Sequence, residues 1–419
     1  MIHSEPPDAL MSRVRDQALR RRVPIIGQVE VTYACNFGCR HCYLDPFRNN
    51  AQYAPEFLPK ETWLRILDEL TEAGTMWLVF SGGDPFTRAD FLDIYEHACG
   101  NGLLCKIYTN GALLNEAVLD RLTACPPTRI EITLYGMSDQ TYEQVTRVPG
   151  AYRRVMRVIE QLLARGLGLT LKATVTRASF PDVPRMLEFC RQREIVFKTD
   201  SLIAPRLDRS DDNIEHRLPP EQMFQTELDP AYNGEAILAH KMILDRESVG
   251  DPFDPDSRRG IGRDRRHLYF CEGGLIGYDI DPRGGVGFCP MDTLRVSCVD
   301  QPFVQVWNGP IKSRRLRPAP PAYRCRNCTY AQTCVACPVR NLLRGLDEPD
   351  IDPWFCQLSK MRSDYLEEHP ACEAVAAAGD RQGTVREIRK DPACNAYFPE
   401  YEQYSGVSAV STNEKWSEL

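Results

Sequence analysis

Residues 28–43 read QVEVTYACNFGCRHCY, and this stretch decides how the rest of the chain is interpreted. The β-branched and aromatic run Gln28–Ala34 predicts a strand. Cys35, Cys39 and Cys42 follow it directly, with the spacing C-x3-C-x2-C. Three thiolates on one loop suit an iron–sulfur cluster with one iron left open, whereas structural zinc needs a fourth ligand. We therefore expect a metal-binding loop at the end of the first strand.

After this loop, strand-like and helix-like segments alternate along the chain. Six β/α alternations predict a parallel sheet with helices outside it, curved into a partial (β/α)6 barrel of the TIM type. In such folds the chemistry lies at the C-terminal ends of the strands. The predicted strands are Gln28–Ala34, Met76–Phe80, Leu103–Tyr108, Arg129–Leu134, Gly168–Val175 and Ile195–Leu202. The predicted helices are Lys60–Ala73, Ala89–Cys99, Asn115–Ala124, Tyr152–Ala164 and Asp182–Arg193.

Composition excludes several classes of protein. The chain has 419 residues, a net charge of −7 and 17 cysteines. A mildly acidic chain offers no broad attraction to a phosphate backbone, which argues against nucleic acid as a partner. No stretch approaches the roughly 18 apolar residues of a membrane span, and the N-terminus lacks a signal peptide. We therefore expect a cytoplasmic protein without a membrane partner, whose thiols are free or bind metal.

Cysteines become frequent again in the C-terminal third, where the β/α alternation has ended. This part is rich in Gly and Pro and has little apolar periodicity, as expected where metal organises the fold. Its spaced cysteines are Cys271, Cys289, Cys325, Cys328, Cys334, Cys337 and Cys356. Two zinc sites are one interpretation of the C-x2-C pairs.

These composition shifts predict five segments. They are an N-terminal extension over 1–27, the barrel core over 28–205, a bridging segment over 206–270, the Cys-rich domain over 271–365 and a tail over 366–419. Further helices are predicted at Glu235–Leu244 in the bridging segment and near Met361–Glu368. Four other cysteines show no ligand spacing and are expected to be small buried hydrophobic residues. They are Cys99, Cys105, Cys125 and Cys190.

The first cysteine loop, including Tyr43 after its last cysteine, resembles the cluster-binding loop of radical S-adenosylmethionine (SAM) enzymes. In that family the three cysteines bind a [4Fe–4S] cluster, SAM chelates the fourth iron, and reduction releases a 5′-deoxyadenosyl radical. The segment Ser81–Pro85 resembles the family's GGE-P motif, with Asp84 in place of the usual Glu. The resemblance implies that SAM is contacted by Gly82, Gly83, Asp84, Thr109, Asn110, Thr133 and Arg147.

The second cysteine field resembles the SPASM domain, which binds two auxiliary [4Fe–4S] clusters. Its last block is C-x2-C-x5-C-x2-C, one residue shorter than usual before Cys337. The resemblance assigns Cys325, Cys328, Cys334 and Cys356 to the distal cluster, and Cys271, Cys289 and Cys337 to the nearer one. Two alternatives remain for the fourth position of the nearer cluster: Cys298 fills it, or one iron is open or bound by another ligand.

The resemblance to SPASM-type radical SAM enzymes implies a function. It favours a maturase that abstracts a hydrogen and then cross-links, oxidises or epimerises a ribosomally made peptide. Expected partners are that peptide, a reductant such as flavodoxin or ferredoxin, and a separate leader-recognition protein, because only 27 residues precede the first strand. Leader binding by the barrel and the bridging segment is the other option. Asp200 and Tyr135, expected at the barrel mouth, are the candidates for a general base.

Other functions stay open at this point. A tetrapyrrole side-chain decarboxylase or oxidase and a small-molecule alcohol or sugar dehydrogenase fit the same cysteine pattern. A sulfatase maturase is less well matched, because its members carry an Asp where this chain has Pro290. From a different class, a non-catalytic zinc scaffold would need His41 as a ligand beside the first triplet.

Overall fold

The computed structural model describes residues 7–44, 57–228, 268–269, 271–330, 333–334 and 336–368. Six parallel strands alternate with helices in the first half, which confirms the predicted α/β class. The strands are β1 (Ile26–Thr32), β2 (Trp77–Gly82), β3 (Leu104–Thr109), β4 (Arg129–Thr133), β5 (Leu169–Thr174) and β6 (Val196–Asp200). The helices up to β6 are α1 (Pro7–Arg21), α2 (Lys60–Glu72), α3 (Phe91–Gly100), α4 (Glu116–Ala124), α5 (Asp139–Thr146), α6 (Ala151–Ala164) and α7 (Val183–Gln192).

The two faces of this sheet differ in chemistry because side chains alternate along each strand. One face carries fully buried aliphatic and aromatic residues such as Val29, Phe80, Ile107 and Ile132, which join the main hydrophobic core with the helices. The helices contribute to that core through periodically spaced apolar residues, for example Trp63 of α2. Burial of this outer face positions the strand ends, where the site lies.

The opposite, inner face of the sheet is polar. Register pairs Tyr108 with Glu131, and Thr133 with Lys172, so these side chains lie on one face. A face that carried only a structural role would be expected to be apolar, as the outer face is. The inner face is therefore the one equipped to contact a polar ligand.

The C-terminal part extends the same sheet. After α8 (Pro220–Leu228), strand β7 (Gly277–Ile280) pairs in parallel with β1, and β8 (Gly285–Gly287) and β9 (Val296–Ser297) follow antiparallel. The full order is β6-β5-β4-β3-β2-β1-β7-β8-β9. The remaining helices are α9 (Phe303–Val306), a π-helical turn (Trp307–Ile311), α10 (Lys312–Arg315), α11 (Pro338–Leu343) and α12 (Pro353–Glu368).

The basic N-terminal extension forms helix α1, which packs onto this C-terminal part. Leu19 contacts Ile276 in a small second core. Arg22 follows the helix in a left-handed backbone conformation (φ 55°) and donates hydrogen bonds to the carbonyls of Gly274 and Trp307 at 2.8 and 2.7 Å. Its guanidinium also stacks on the Trp307 ring, 4.2 Å from the ring centre. The N-terminal helix is therefore tied to the segment around Gly274 and Trp307, beside β1.

Some boundaries differ from those predicted. Helix α12 begins at Pro353, eight residues before the predicted Met361, because Asp352 caps it by accepting from the Trp354 N–H at 3.0 Å. Helices α5 and α8 were not predicted. The predicted helix Glu235–Leu244 lies outside the described residues, as does the tail beyond residue 368. A search of the described residues finds no helix that is long and apolar enough to span a membrane.

Candidate functional site

The cysteine triplet lies on the loop that leaves the C-terminal end of β1. Its three thiols are not in disulfides. Backbone N–H groups of Phe37 and Leu44 donate to Cys35 Sγ and Cys42 Sγ, each at 3.4 Å. Burial, then Asp84 and Cys42, raise the pKa of Cys35 to about 12, so the bare loop disfavours the thiolate. A bound cation would reverse this, since thiolates are the form that ligates metal.

Helix α5 and an arginine hold this loop from outside. The N–H of Gly38 donates to the carbonyl of Thr146 at 2.8 Å, at the C-terminal end of α5. Arg206 donates to the carbonyl of Cys42 at 3.3 Å. Arg147, a predicted SAM contact, directly follows α5 with φ 60° and is exposed next to the loop. Sequence reasoning missed Arg206, whose only sequence signal is its place after the last barrel strand.

Gly82 and Gly83 bring the end of β2 against the cysteine loop. Gly82 has φ +124°, and a Cβ atom there would lie 2.0 Å from the carbonyl oxygen of Thr32. A Cβ atom on Gly83 would lie 2.3 Å from the carbonyl oxygen of Ala34. Only glycine fits both positions. The two glycines thus set the distance between the two loops.

Asp84 joins the ends of β2 and β3. Its Oδ2 accepts from Thr109 Oγ1 and from the Asn110 N–H, both at 2.8 Å, and its Oδ1 accepts from the Phe86 N–H at 3.1 Å. Burial raises the pKa of Asp84 to about 6, while these donors oppose the shift. The carboxylate of Asp84, which stands where the family usually has Glu, therefore accepts its hydrogen bonds from groups of the protein itself.

Asn110 connects this pair of loops to the cysteines. Its Nδ2 donates to Asn36 Oδ1 at 2.7 Å and lies 3.7 Å from Cys35 Sγ. The structure thus brings together the cysteine triplet, Gly82, Gly83, Asp84, Thr109 and Asn110, all at the C-terminal edge of β1 to β3. Their roles toward a ligand remain predictions.

The other predicted site residues lie further along the sheet. Thr133 is buried at the end of β4, and its carbonyl accepts from the Tyr142 hydroxyl at 3.3 Å. Tyr135 packs on the cysteine loop, with its ring centre 6.0 Å from that of Phe37. Asp200 is exposed at the end of β6, and its Oδ1 accepts from the Leu202 N–H at 2.9 Å. Of the two general-base candidates, Asp200 alone is exposed.

The second cysteine field separates into two groups. Burial, followed by the neighbouring thiols of Cys337 and Cys271, raises the pKa of Cys289. Burial, followed by nearby Cys334, Cys325 and Cys328, raises the pKa of Cys356. Such electrostatic coupling requires the thiols of each group to be neighbours. The assignment of each group to its own cluster stays a prediction.

Cys298 lies in a different environment. It is fully buried, and its carbonyl accepts from Arg65 of α2 at 3.4 Å. Burial, and then Glu69 of α2, raises its pKa to about 12. Among the described residues, no three His, Cys, Asp or Glu side chains converge closely enough to hold a single metal ion.

A buried charge network that the sequence did not reveal links the two cysteine regions. Arg295 forms an ion pair with Asp279 of β7 at 2.7 Å and donates to the carbonyls of Cys289 and Pro290 at 3.1 and 3.2 Å. Glu30 of β1 lies 3.8 Å from the same guanidinium. Glu30 also accepts from the Tyr43 hydroxyl, at 2.7 Å.

Desolvation and like charge raise two carboxyl pKa values in this network. The pKa of Glu30 is raised by burial and by Asp279, and the pKa of Asp279 is raised to about 6 by burial, which Arg295 opposes. Both carboxyls are therefore protonated more easily than they would be in water.

Three of the cysteines without ligand spacing lie close together, namely Cys99, Cys105 and Cys125. Cys105 and Cys190 are buried, as predicted, but for Cys99 and Cys125 the prediction of burial is wrong, since both are half-buried. Hydrogen bonds from Cys105, Tyr95 and Cys125 lower the pKa of Cys99 to about 6. These thiols lie where α3 and α4 end and β3 begins, at the opposite end of the strands from the cysteine triplet.

A parallel β/α sheet with a three-cysteine loop after its first strand and a double-glycine turn after its second defines the radical SAM class. Residues 29–190 match the family model described as "Radical SAM superfamily". The chain therefore contains a radical SAM domain over these residues, and that family uses a [4Fe–4S] cluster and SAM.

Relatives and solved structures agree with this assignment. The chain is 25% identical over 340 residues to an AdoMet-dependent heme synthase of Oleidesulfovibrio alaskensis, covering 74% of this chain and 81% of that protein. It is 27% identical over 336 residues to the mycofactocin maturase MftC of Mycobacterium ulcerans, covering 78% and 87%. The crystal structure of Streptococcus suis SuiB bound to the precursor peptide SuiA has a similar fold, with a TM-score of 0.58, 16% identity and coverage of 84% and 82%.

Proposed function

We propose that this enzyme modifies a ribosomally made peptide by radical chemistry. The observation that carries the proposal is the sorting of the second cysteine field into two groups beside a radical SAM core. A maturase and a structure with a bound precursor peptide are among the proteins similar to this chain. Auxiliary iron–sulfur clusters, if bound by these thiols, would accept the electron that a substrate radical must lose.

The residues of the first site fit the cofactors of the family. Cys35, Cys39 and Cys42 supply three soft ligands on one loop, with N–H donors already directed at two of the sulfurs. Gly82 and Gly83 expose backbone beside them, without side chains in the way. When bound, the reduced cluster and SAM supply the 5′-deoxyadenosyl radical that abstracts hydrogen from the substrate.

The second field is proposed to hold two auxiliary [4Fe–4S] clusters. Cys325, Cys328, Cys334 and Cys356 supply four ligands to the distal cluster, and Cys271, Cys289 and Cys337 supply three to the nearer one. The burial of Cys298 against α2 favours a ligand other than Cys298 at the fourth position. Arg295 orients the nearer site, because it binds the carbonyl of Cys289 directly.

Two partners belong to this proposal. A reductant such as flavodoxin or ferredoxin delivers the electron that starts each turnover. A separate leader-recognition protein, or the barrel together with the bridging segment, holds the precursor peptide. Truncated variants that lack 229–267 would separate the two options, because only the second predicts that leader affinity falls with the deletion.

A second candidate function is modification of a tetrapyrrole side chain. The observation in its favour is the similarity to an AdoMet-dependent heme synthase over most of both chains. Both functions use the same core, and they differ in the substrate that enters the barrel.

Mass spectrometry of products distinguishes these two functions. The reconstituted enzyme, SAM and a reductant are incubated with precursor peptides encoded near the gene, or with a propionate-bearing porphyrin. The proposal predicts a peptide mass change that Cys35→Ala abolishes and Cys190→Ala, in a buried helix position away from both cysteine sites, leaves intact. Unchanged masses for every peptide, together with a modified porphyrin, would establish the second function instead.

A further inference from the structure

Three lysines surround one glutamate on the inner face of the sheet. Lys106 of β3, Lys172 of β5 and Lys198 of β6 place their Nζ atoms 3.5, 4.0 and 3.1 Å from the carboxylate of Glu131 on β4. The carboxylate of Asp200 also acts on Lys172. The set therefore keeps an excess of positive charge inside the barrel.

The side chain of the glutamate is buried, whereas the side chains of the three lysines are partly exposed. The side chain of Glu131 is 3% exposed, whereas those of Lys106, Lys172 and Lys198 are 34%, 27% and 52% exposed. Only the Lys198 nitrogen lies within hydrogen-bond distance of Glu131, so the other two ammonium groups keep donors for another acceptor. Nothing in the packing of the outer face requires three cations here.

Like charges brought together in a partly desolvated place repel one another. Burial, followed by the charges of Lys198 and Lys106, lowers the pKa of Lys172 to about 8, while Glu131 opposes the shift. The Lys172 nitrogen also rests over the Tyr108 ring, 3.3 Å from its centre, which holds it in place. An anion bound among the three ammonium groups would relieve this repulsion.

The lysines lie close to the place where the radical chemistry is expected. Lys172 is paired in register with Thr133, a predicted SAM contact at the end of β4. Lys198 is in turn paired with Lys172. A group held by these lysines is therefore next to the strand ends that carry the cofactor residues.

We propose that Lys106, Lys172 and Lys198 bind a carboxylate of the substrate inside the barrel, where the buried carboxylate of Glu131 competes for the same three ammonium groups. This inference rests on the proposed function and names the chemical class that the site selects. A peptide supplies the carboxylate from an acidic side chain or its C-terminus, and a tetrapyrrole supplies it from a propionate. Charge-assisted contacts of this kind give both affinity and orientation.

Binding to the reconstituted holoenzyme tests the inference with two pairs of probes. The first pair is a glutamate-rich synthetic hexapeptide and its fully methyl-esterified form. The second is mesoporphyrin IX and its dimethyl ester. We expect at least one free acid to bind about tenfold or more tightly than its ester, the loss expected for one charge-assisted hydrogen bond. Equal affinity of acid and ester in both pairs would overturn the inference.

Three substitutions locate the binding. Lys198→Met, at the most exposed of the lysines, should weaken binding of the free acid about tenfold, and Lys198→Arg should retain it. Glu131→Gln should tighten binding, because it removes the competing carboxylate. If the cluster only stabilised the sheet, Glu131→Gln would not tighten binding of the free acid. Lys60→Met, at an exposed lysine paired with Asp93 on the outer helices, is the control and should bind as the natural protein does.

The outcomes separate this inference from the proposed function. Binding of the acidic peptide supports both. Binding of the porphyrin acid alone supports the carboxylate site and contradicts the peptide substrate. Modification of a precursor peptide with full activity in the Lys198→Met and Lys106→Met variants supports the peptide function and contradicts the carboxylate site.

Discussion

At the scale of single residues, Asp84 shows how one buried carboxylate organises the site. It accepts three hydrogen bonds that join the turn after β2 to the end of β3. The substitution Asp84→Asn replaces one carboxylate oxygen with an NH2 group, which cannot accept a hydrogen bond. At least one of the donors then loses its acceptor, so the free energy of unfolding should fall by about 1–3 kcal/mol. Denaturant unfolding measures this, with Asp120→Asn at an exposed position of α4 as the control. Equal stability of the two variants would contradict this role.

Lys172 gives a prediction about pH at the same scale. Its pKa lies at about 8 in the fold, below the ordinary 10.5. The unfolded chain therefore binds more protons between these values, and this group makes the fold more stable as pH rises from about 8 to about 10.5. Reductive methylation followed by mass spectrometry should modify Lys172 progressively as pH passes about 8. Modification of Lys172 that begins only near pH 10.5 would contradict the lowered pKa.

At the scale of elements, Arg295 ties strand β7 to the loop that carries Cys289. Its removal leaves Asp279 and Glu30 as buried carboxylates without a counter-charge. Arg295→Met should therefore lower the free energy of unfolding by about 3–5 kcal/mol. Because its guanidinium also holds the carbonyl of Cys289, iron should be lost first from the nearer auxiliary site. Arg129→Met, at a partly exposed strand position, serves as the control.

The ends of α3 and α4 create a reactive thiol away from the proposed chemistry. The pKa of Cys99 lies at about 6, held there by hydrogen bonds from Cys105, Tyr95 and Cys125. In the anaerobically purified enzyme, iodoacetamide should alkylate Cys99 before Cys190, whose pKa burial raises to about 12. Peptide mapping identifies the modified residue. Faster alkylation of Cys190 would contradict the lowered pKa.

The sequence predicted those elements whose signals are local. The spacing of Cys35, Cys39 and Cys42 and the alternation of strands and helices depend on neighbours in the chain, so both were visible. Strand β7 has four residues and pairs with β1 about 250 residues away, a distance at which no periodicity operates. The charged cluster on the inner face was hidden for the same reason, because each of its members comes from a different strand. Its members are Lys106, Glu131, Lys172 and Lys198.

At the scale of the whole molecule, one continuous sheet connects the radical SAM core to the Cys-rich part. The pairing of β7 with β1 places the second cysteine field beside the strand that leads into the first triplet. The network of Glu30, Asp279 and Arg295 crosses the same junction. Clusters bound in the second field, as proposed above, would therefore be linked to the barrel through this shared sheet.

Reductive cleavage of SAM by the reconstituted enzyme shows whether the cysteine triplet holds a redox-active cluster. We expect about 8–12 irons per chain and formation of 5′-deoxyadenosine with a strong reductant, since two or three [4Fe–4S] clusters carry four irons each. Cys35→Ala should abolish 5′-deoxyadenosine and lose about four irons, while Cys190→Ala should match the natural protein. Tightly bound zinc, no iron and no 5′-deoxyadenosine from the natural protein would contradict the account.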